Sequence, residues 1–418
     1  MAPIILVTFA GRQKRMEILA QYVFEAIQRG IIDEWHLWDF TRSQEDHEWL
    51  TREFGPVRYM GSTTSYQLKG AVSPGASFRT SAAIKNDLHI AVLPNDDSDN
   101  YFEFVIGGWN NQVCALRKLP QSQLKSFDRD NASEIWSGTT PGVLSPGLPN
   151  QIVLQVNGDG VPTLYVNDVR IGQWPALNLA AGASVMVRGG WGADLELCDV
   201  HSPIQRFIGS PDEKLPYWQA YDYYAKRIRD FSDTIFLKCD DDIVYIDVEK
   251  LDEFITFRRA NPQYFIVSAN VVNNGVCAYW QQAAGSLPGD LGHFERPPQG
   301  FGGSLWQSAQ RATELHDFFL QTADKRLPLS AKVIEWKERL SINFIAWLGK
   351  DLIHMALPKG DDEDFLTVGV PARLGRPTAI YSDFIVSHLS FGPQEAGLDL
   401  NLLIGEYDRL MRSKLSLT

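Results

Sequence analysis

The chain has 418 residues, 44% of them hydrophobic and 22% charged, with a formal net charge of −12. That composition is ordinary for a globular protein, and the length suffices for two or three domains. The acid excess argues against a general nucleic-acid binder, which needs a basic stripe to displace counterions from a phosphate backbone.

Four cysteines, Cys114, Cys198, Cys239 and Cys277, are widely spaced and form no CxxC pair. They read as reduced and mostly buried, with neither a disulfide framework nor a zinc site. The apolar stretch 3–10 has no basic region before it and reads as a first strand, not a signal peptide. No window approaches the roughly 20 apolar residues that span a bilayer, so no transmembrane segment is expected. A cytoplasmic location is the default, and the Asn131-Ala132-Ser133 sequon is then incidental.

Residues 1–60 alternate strand and helix patterns. Ile4–Val7 is a short buried strand, and Thr8-Phe9-Ala10-Gly11 is expected to turn the chain. A helix follows over 15–29, with Ile18, Leu19, Tyr22, Val23, Ala26 and Ile27 at helical spacing and Gly30 as its stop. Glu34–Phe40 is a second strand, followed by the polar loop 41–46. This grammar implies a parallel sheet with ligands at the carboxyl ends of its strands.

From Gly61 to about residue 201 no long helix is evident. Short alternating stretches (Leu88–Leu93, Tyr101–Ile106, Ile152–Val156, Thr163–Val166, Ser184–Val187) are separated by turns at Pro94-Asn95-Asp96, Gly107-Gly108, Asn157-Gly158 and Asn167-Asp168. This is the pattern of a β-sandwich. From residue 202 to 418 the α/β grammar returns. A helix is expected over Tyr217–Arg229, a strand over Ile235–Leu237, a helix from Val248 to about Arg259 and a strand over Tyr264–Ser268. Gly285–Gly303 reads as a flexible loop, Lys332–His354 as helical, Ile380–Val386 as a strand, and Leu398–Leu415 as an amphipathic helix packed on the core. The sandwich, residues 61–201, thus interrupts an α/β domain made of 1–60 and 202–418, and insertion suits domains whose termini lie close together.

Three constellations carry chemistry. Asp240-Asp241-Asp242 follows the apolar run Thr234–Cys239 and precedes the apolar Ile243–Ile246. Clustered carboxylates wedged between buried strands repel one another and lose hydration, a cost that a divalent cation offsets. At strand spacing Asp240 and Asp242 face the same way and Asp241 points elsewhere. Asp361-Asp362-Glu363-Asp364 either complements a helix dipole or supplies a general base. His388, after an apolar strand, is either a satisfied structural residue or a nitrogen ligand completing an O/N set for Mn²⁺ or Mg²⁺. The turn Thr8-Phe9-Ala10-Gly11-Arg12 would set N–H groups and Arg12 beside a diphosphate, and Asp39 would accept from a base or ribose.

Together these pieces resemble a GT-A-type nucleotide-sugar glycosyltransferase over most of residues 1–60 and 203–395. The resemblance rests on Thr8–Arg12, Leu237–Asp242, Gly360–Leu366 and His388. It implies a Rossmann-like mixed sheet with flanking helices, interrupted by the all-β sandwich. It implies a hexosyltransferase-like enzyme that takes a UDP- or GDP-sugar and a glycan or glycoconjugate acceptor, inverting the anomeric carbon. Asp240, Asp242 and His388 would hold the metal, and Asp364, or else Glu363 or Asp362, would be the base. Thr8, Phe9, Gly11, Arg12, Asp39 and Asp241 would line the donor site.

The insert resembles the domain named after farnesoic acid O-methyltransferase, on Asn86–Ala91, Phe102–Asn111 and Gly189–Gly192. It shows no SAM-binding glycine loop, and the resemblance implies a lectin-like sandwich, in which Trp109, Trp174 and Trp191 either stack on sugars or fill the core. A homo-oligomer through the sandwich is a further expectation. The alternatives are a non-catalytic carbohydrate-binding protein and a nucleotidyltransferase. The latter usually needs a richer phosphate loop than Gly11, Arg12, Lys14 and Arg15 provide.

Overall fold

The computed structural model describes residues 2–62, 65–95, 99–126, 129, 131–177, 179, 181–210, 217–322, 324–355 and 360–416. Asp96 of an expected turn and Lys359 beside the second acidic run lie outside them. The chain is mixed α/β and divides into two compact units, Met1–Glu53 with Tyr217–Thr418, and Phe54–Pro216.

In the first unit, Glu34–Asp39, Ile4–Ala10 and Ile235–Asp240 run parallel side by side. Phe344–Leu348 pairs antiparallel with Ile235–Asp240 and also with Val267–Val272. Thr378–His388 follows parallel to Val267–Val272, and Ile243–Ile246 closes the row antiparallel to it. Ile235–Asp240, Val267–Val272 and Phe344–Leu348 are buried almost throughout, as strands covered on both faces are. The helix Gln13–Gln28 packs its Tyr22 and Val23 side on Ile243–Ile246 and on the C-terminal helix Leu400–Leu415. That last helix buries Leu403, Tyr407 and Met411, so its apolar stripe belongs to the core.

Several expected elements are displaced. Thr8 and Phe9 continue the first strand, and the turn begins only at Gly11. Lys332–His354 is not helical. It holds the strands Val333–Trp336 and Phe344–Leu348 and a 3₁₀ turn, Gly349–His354. Short apolar runs fit either period, and here pairing with Ile235–Asp240 and Thr378–His388 decides. The Tyr264–Ser268 strand forms three residues later, over Val267–Val272, because Pro262-Gln263 make a turn. The Tyr217–Arg229 helix breaks at Arg227 into Tyr217–Lys226 and Ile228–Phe231. Gly285–Gly303 contains the 3₁₀ turns Gly289–Leu291 and Pro298–Gly300 and buries Leu287 and Phe294.

The second unit holds two sets of strands around one core. One is a six-stranded antiparallel sheet in the order Gln67–Val72, Ala183–Gly189, Leu88–Pro94, Asn100–Gly107, Val113–Pro120, Ser133–Thr139. The other runs Val169–Gln173, Pro162–Val166, Pro149–Val156, Ser77–Ala83, Leu195–Leu197, Val57–Met60, Ile204–Ile208. Strict alternation, as in Pro149–Val156, sends Ile152, Leu154 and Val156 inward against Ile90, Phe104 and Leu116. The unit is wider than residues 61–201, because Val57–Met60 and Ile204–Ile208 pair with each other. Trp174 fills this core beside Phe104 and Trp136, whereas Trp109 and Trp191 are exposed.

Among the described residues no helix is long and apolar enough to cross a membrane.

Candidate functional site

The acid triplet sits where Ile235–Asp240 ends and the chain turns into Ile243–Ile246. Register fixes its neighbours: Asp240 lies beside Phe9, and Ile243 beside His388. Asp240, Asp242 and His388 each offer a donor atom within 4.8 Å of the others.

Asp242 is buried. Its Oδ2 faces Arg12 Nη2 at 3.1 Å and Arg15 Nη1 at 3.4 Å, and its Oδ1 stands 3.2 Å from His388 Nε2. That last distance is within ion-pair range, yet Oδ1 receives no aligned hydrogen bond. In an octahedral shell with bonds of about 2.1 Å, neighbouring donors stand roughly 3 Å apart, so the pair is spaced as two ligands of one cation would be. The O, O, N donor set also suits Mn²⁺ or Mg²⁺. Burial works against the Asp242 charge, but His388, Arg12 and Arg15 outweigh it and hold the carboxyl below its ordinary range.

Asp240 is already engaged. Lys238 Nζ donates to its Oδ1, and Asn343 Nδ2 to its Oδ2 at 3.1 Å. Lys238 is buried, also donates to Ile342 O at 2.8 Å, and lies 5.6 Å over the Phe9 ring. Burial alone would lower its pKa, but Asp240 and Asp362 raise it.

Asp241 and Asp242 lie in the turn after the strand, and Arg12 Nη2 reaches both carboxylates, so Asp241 is not idle. Its Oδ2 accepts from Gly11 N at 3.0 Å and Arg12 Nε at 3.1 Å, and its Oδ1 from Arg12 Nη2. A carboxylate of the chain thus fills the N–H and guanidinium nest where a diphosphate was expected. A Cβ on Gly11 would come 3.1 Å from Asp241 Oδ2 and 3.3 Å from Phe40 O, so only glycine admits this approach comfortably. Glu395 closes the other side, accepting from Arg15 Nη2 at 2.7 Å and Ser390 Oγ at 3.1 Å.

The second acidic run separates by role. Asp361 caps the short helix Asp362–Asp364, accepting from Asp364 N at 3.3 Å, and pairs with Arg339 at 2.8 Å. Glu363 also pairs with Arg339, at 2.7 Å. Asp364 is exposed. Asp362 turns toward Tyr221, whose hydroxyl donates to it at 3.3 Å. Burial, with Glu363 and Asp240 adding to it against Lys238, pushes its carboxyl up to about 6. Of the three acids expected as candidate bases, Asp362 is the one that accepts from Tyr221, while Glu363 pairs with Arg339 and Asp364 is exposed.

Two expected donor-site residues are spent on structure. Thr8 is buried, and its Oγ1 accepts from Trp35 Nε1 at 3.0 Å. Asp39 accepts from Thr41 N and Oγ1 through Oδ1 and sits 2.7 Å from His47 Nδ1 through Oδ2. Phe9 packs edge-on against Phe40 and Tyr221. Lys238, Asn343, Tyr221 and Glu395 were not anticipated. Only Lys238 left a trace in the sequence, as the one charge inside an apolar strand.

Residues 48–179 match the family model described as farnesoic acid 0-methyl transferase. No curated protein matches the chain. Among solved structures, a sheep galectin-11 in complex with glycerol is 16% identical, covering 33% of this chain and 96% of its own, with a TM-score of 0.23. A Caenorhabditis elegans galectin is 10% identical, covering 35% and 94%, at 0.23. A carbohydrate-binding module from Bacillus subtilis is 13% identical, covering 36% and 94%, at 0.22.

Proposed function

We propose that this protein is a metal-dependent glycosyltransferase that moves a sugar from a UDP- or GDP-linked donor to a hydroxyl of a glycan or glycoconjugate, with inversion. The observation that carries the reading is the convergence of Asp240, Asp242 and His388 at strand ends, with the buried Asp242 Oδ1 facing His388 Nε2 at 3.2 Å but receiving no aligned hydrogen bond. Mn²⁺ or Mg²⁺ held by these three would supply positive charge to the departing diphosphate.

The remaining work falls to the chain. Asp362 accepts the proton of the acceptor hydroxyl as its oxygen bonds to the anomeric carbon. The bond from that carbon to the phosphate oxygen breaks, and the electron pair leaves with the diphosphate. Arg12, whose side chain is 43% exposed, and Arg15 behind it add fixed positive charge beside the leaving group. Tyr221 donates to Asp362 and orients it.

A second reading is a carbohydrate-binding protein without transferase activity, favoured by the exposed Trp109 and Trp191 on the second unit. A thermal-shift screen of UDP-, GDP- and CDP-sugars with and without Mn²⁺ separates the two. The transferase requires stabilisation by a nucleotide sugar that depends on Mn²⁺, and transfer that is lost in Asp242→Ala. Turnover undiminished by EDTA would sink it.

A further inference from the structure

We propose that the second unit binds a neutral saccharide at one end of its six-stranded sheet, between the turns that carry Trp109 and Trp191. The proposal deepens the carbohydrate-binding side of the proposed function and stands independently of the metal centre.

Register brings three separate stretches of sequence to this end. Leu88 pairs with both Ile106 and Gly189, so Asp87, Gly107-Gly108 and Gly190 meet just beyond the paired strands. Asp87 N donates to Gly107 O at 2.9 Å, and Gly190 N donates to Asp87 O at 2.7 Å. The backbone here is held in a conformation that residues with a Cβ rarely adopt: φ is +56° at Asp87, +51° at Trp109, +59° at Asn110 and +62° at Asn111. Asn111 locks the turn, donating to Leu144 O at 2.7 Å and accepting from Leu144 N at 3.1 Å. The result is to present large apolar rings to water, with Trp109 53% and Trp191 71% exposed.

Polar groups sit at the foot of the two turns, where Asp87 lies between the backbones of Gly107 and Gly190. Asp87 is only 8% exposed; among the described residues its hydrogen-bond donor is Asn86 Nδ2, 2.6 Å from Oδ2, and none of them donates to Oδ1. Next to it His89 is buried, with Nε2 unbonded and Nδ1 3.0 Å from Glu103 Oε1. A Cβ on Gly108 would lie 3.3 Å from Asp87 Oδ1, and one on Gly190 2.7 Å from His89 Nε2, so glycine at both positions keeps side chains off these groups. The Arg117 guanidinium lies 5.2 Å over the Trp109 ring and is braced from behind by the buried Glu103 at 3.7 Å.

An acceptor-only carboxylate, a donor guanidinium and flat ring faces match a pyranose, which offers an apolar C–H face and hydroxyls that both donate and accept. An anion would meet Asp87, and an apolar peptide would leave the Asp87 carboxylate desolvated and unbonded.

The test uses the full chain, fluorescently labelled, on an array of neutral glycans ending in glucose, galactose, mannose or their N-acetyl forms. The wild type is compared with Trp109→Ala, Asp87→Asn and Asp242→Ala. The expected result is retention on at least one glycan class, weakened about tenfold or more by Trp109→Ala and by Asp87→Asn, and kept in Asp242→Ala. Trp109 is more than half exposed, so its variant remains folded and carries the test even where Asp87→Asn does not fold. Absence of binding to every glycan overturns the proposal, as does binding that both variants leave intact. Loss of self-association in Trp109→Ala, with no glycan bound, would assign the face to a protein contact instead. Failure here with Mn²⁺-dependent transfer intact would leave the metal centre standing. The reverse outcome would leave this site.

Discussion

Asp242→Asn is the sharpest probe of the proposed metal centre, because it preserves shape and removes one charge. In the metal-free protein its cost is bounded by what the neighbours retain. Arg15 keeps Glu395 at 2.7 Å and Arg12 keeps Asp241, so neither cation is orphaned. The loss is then about 1–3 kcal/mol, the worth of charge-assisted hydrogen bonds, and not the roughly 3–5 kcal/mol of an abandoned buried charge. With Mn²⁺ at about 100 times its Kd, the wild type gains about 2.7 kcal/mol. For a unit of this size each kcal/mol raises Tm by roughly 2–4 °C, so the expected rise is about 5–11 °C. A ligand loss that weakens Kd by about 100-fold leaves only about 0.4 kcal/mol of gain at the same concentration, a rise of roughly 1–2 °C. Differential scanning calorimetry with and without Mn²⁺ reads both quantities, and any second transition from the sandwich unit serves as an internal reference. A full Mn²⁺ shift in Asp242→Asn refutes the ligand assignment. No shift in the wild type refutes the site.

Asp362→Asn should lower kcat by about 10²–10⁴-fold while leaving donor binding intact, as removal of a general base does. Because a base must be unprotonated, the wild-type rate should fall as pH drops through about 6, the value to which burial pushes Asp362; a profile flat from pH 5 to 8 would count against it. In the second unit, Glu103 is buried among His89, Arg129, Arg188 and Tyr66, and although burial opposes its charge these partners hold its pKa at about 2. A depressed carboxyl stabilises above its unfolded pKa, so roughly 3 kcal/mol of sandwich stability should disappear as pH falls from about 4.5 to about 2, measurable by urea unfolding across that range. A double-mutant cycle of Asp241→Asn with Arg12→Gln should give a coupling of about 1–2 kcal/mol, limited by the exposure of Arg12. A coupling indistinguishable from zero would show that the Arg12–Asp241 pair adds nothing to stability.

What the sequence disclosed depended on how local each signal was. The helix Gln13–Gln28 and the alternating strands of the sandwich carry their period in adjacent residues, and both could be read directly. The triplet Asp240–Asp242 was visible because charge after an apolar strand is costly wherever it occurs. Phe344–Leu348 was not, since five apolar residues fit a helix or a strand until Ile235–Asp240 is known to lie beside them. The same limit hid Asn343, which carries no mark of its own and reaches Asp240 only through that pairing. For Asp362, composition could narrow the base to a run of acids. Only the positions of Tyr221 and Arg339 separate the half-buried Asp362 from Asp361 and Glu363, which pair with Arg339.

The balance of charge around the centre limits what can enter it. Asp240, Asp241, Asp242, Asp362 and Glu395 face Arg12, Arg15, Lys238 and His388, so with His388 neutral, as a metal ligand must be, and every other group ionised, the acids exceed the cations by two. Unneutralised negative charge in a desolvated cluster is costly, and there are two ways to relieve it. One is a proton, and Asp362, with its pKa raised to about 6, shows the cluster already pressing in that direction. The other is a cation, and a divalent one meets the deficit in full. A diphosphate arriving alone would deepen the imbalance and would also have to compete with Asp241 for Gly11 N–H and Arg12. On the proposed reading it would be admitted only together with its cation or after it, so dependence on Mn²⁺, more than nucleotide binding itself, is the property whose measurement would distinguish a metal centre here from an acidic surface.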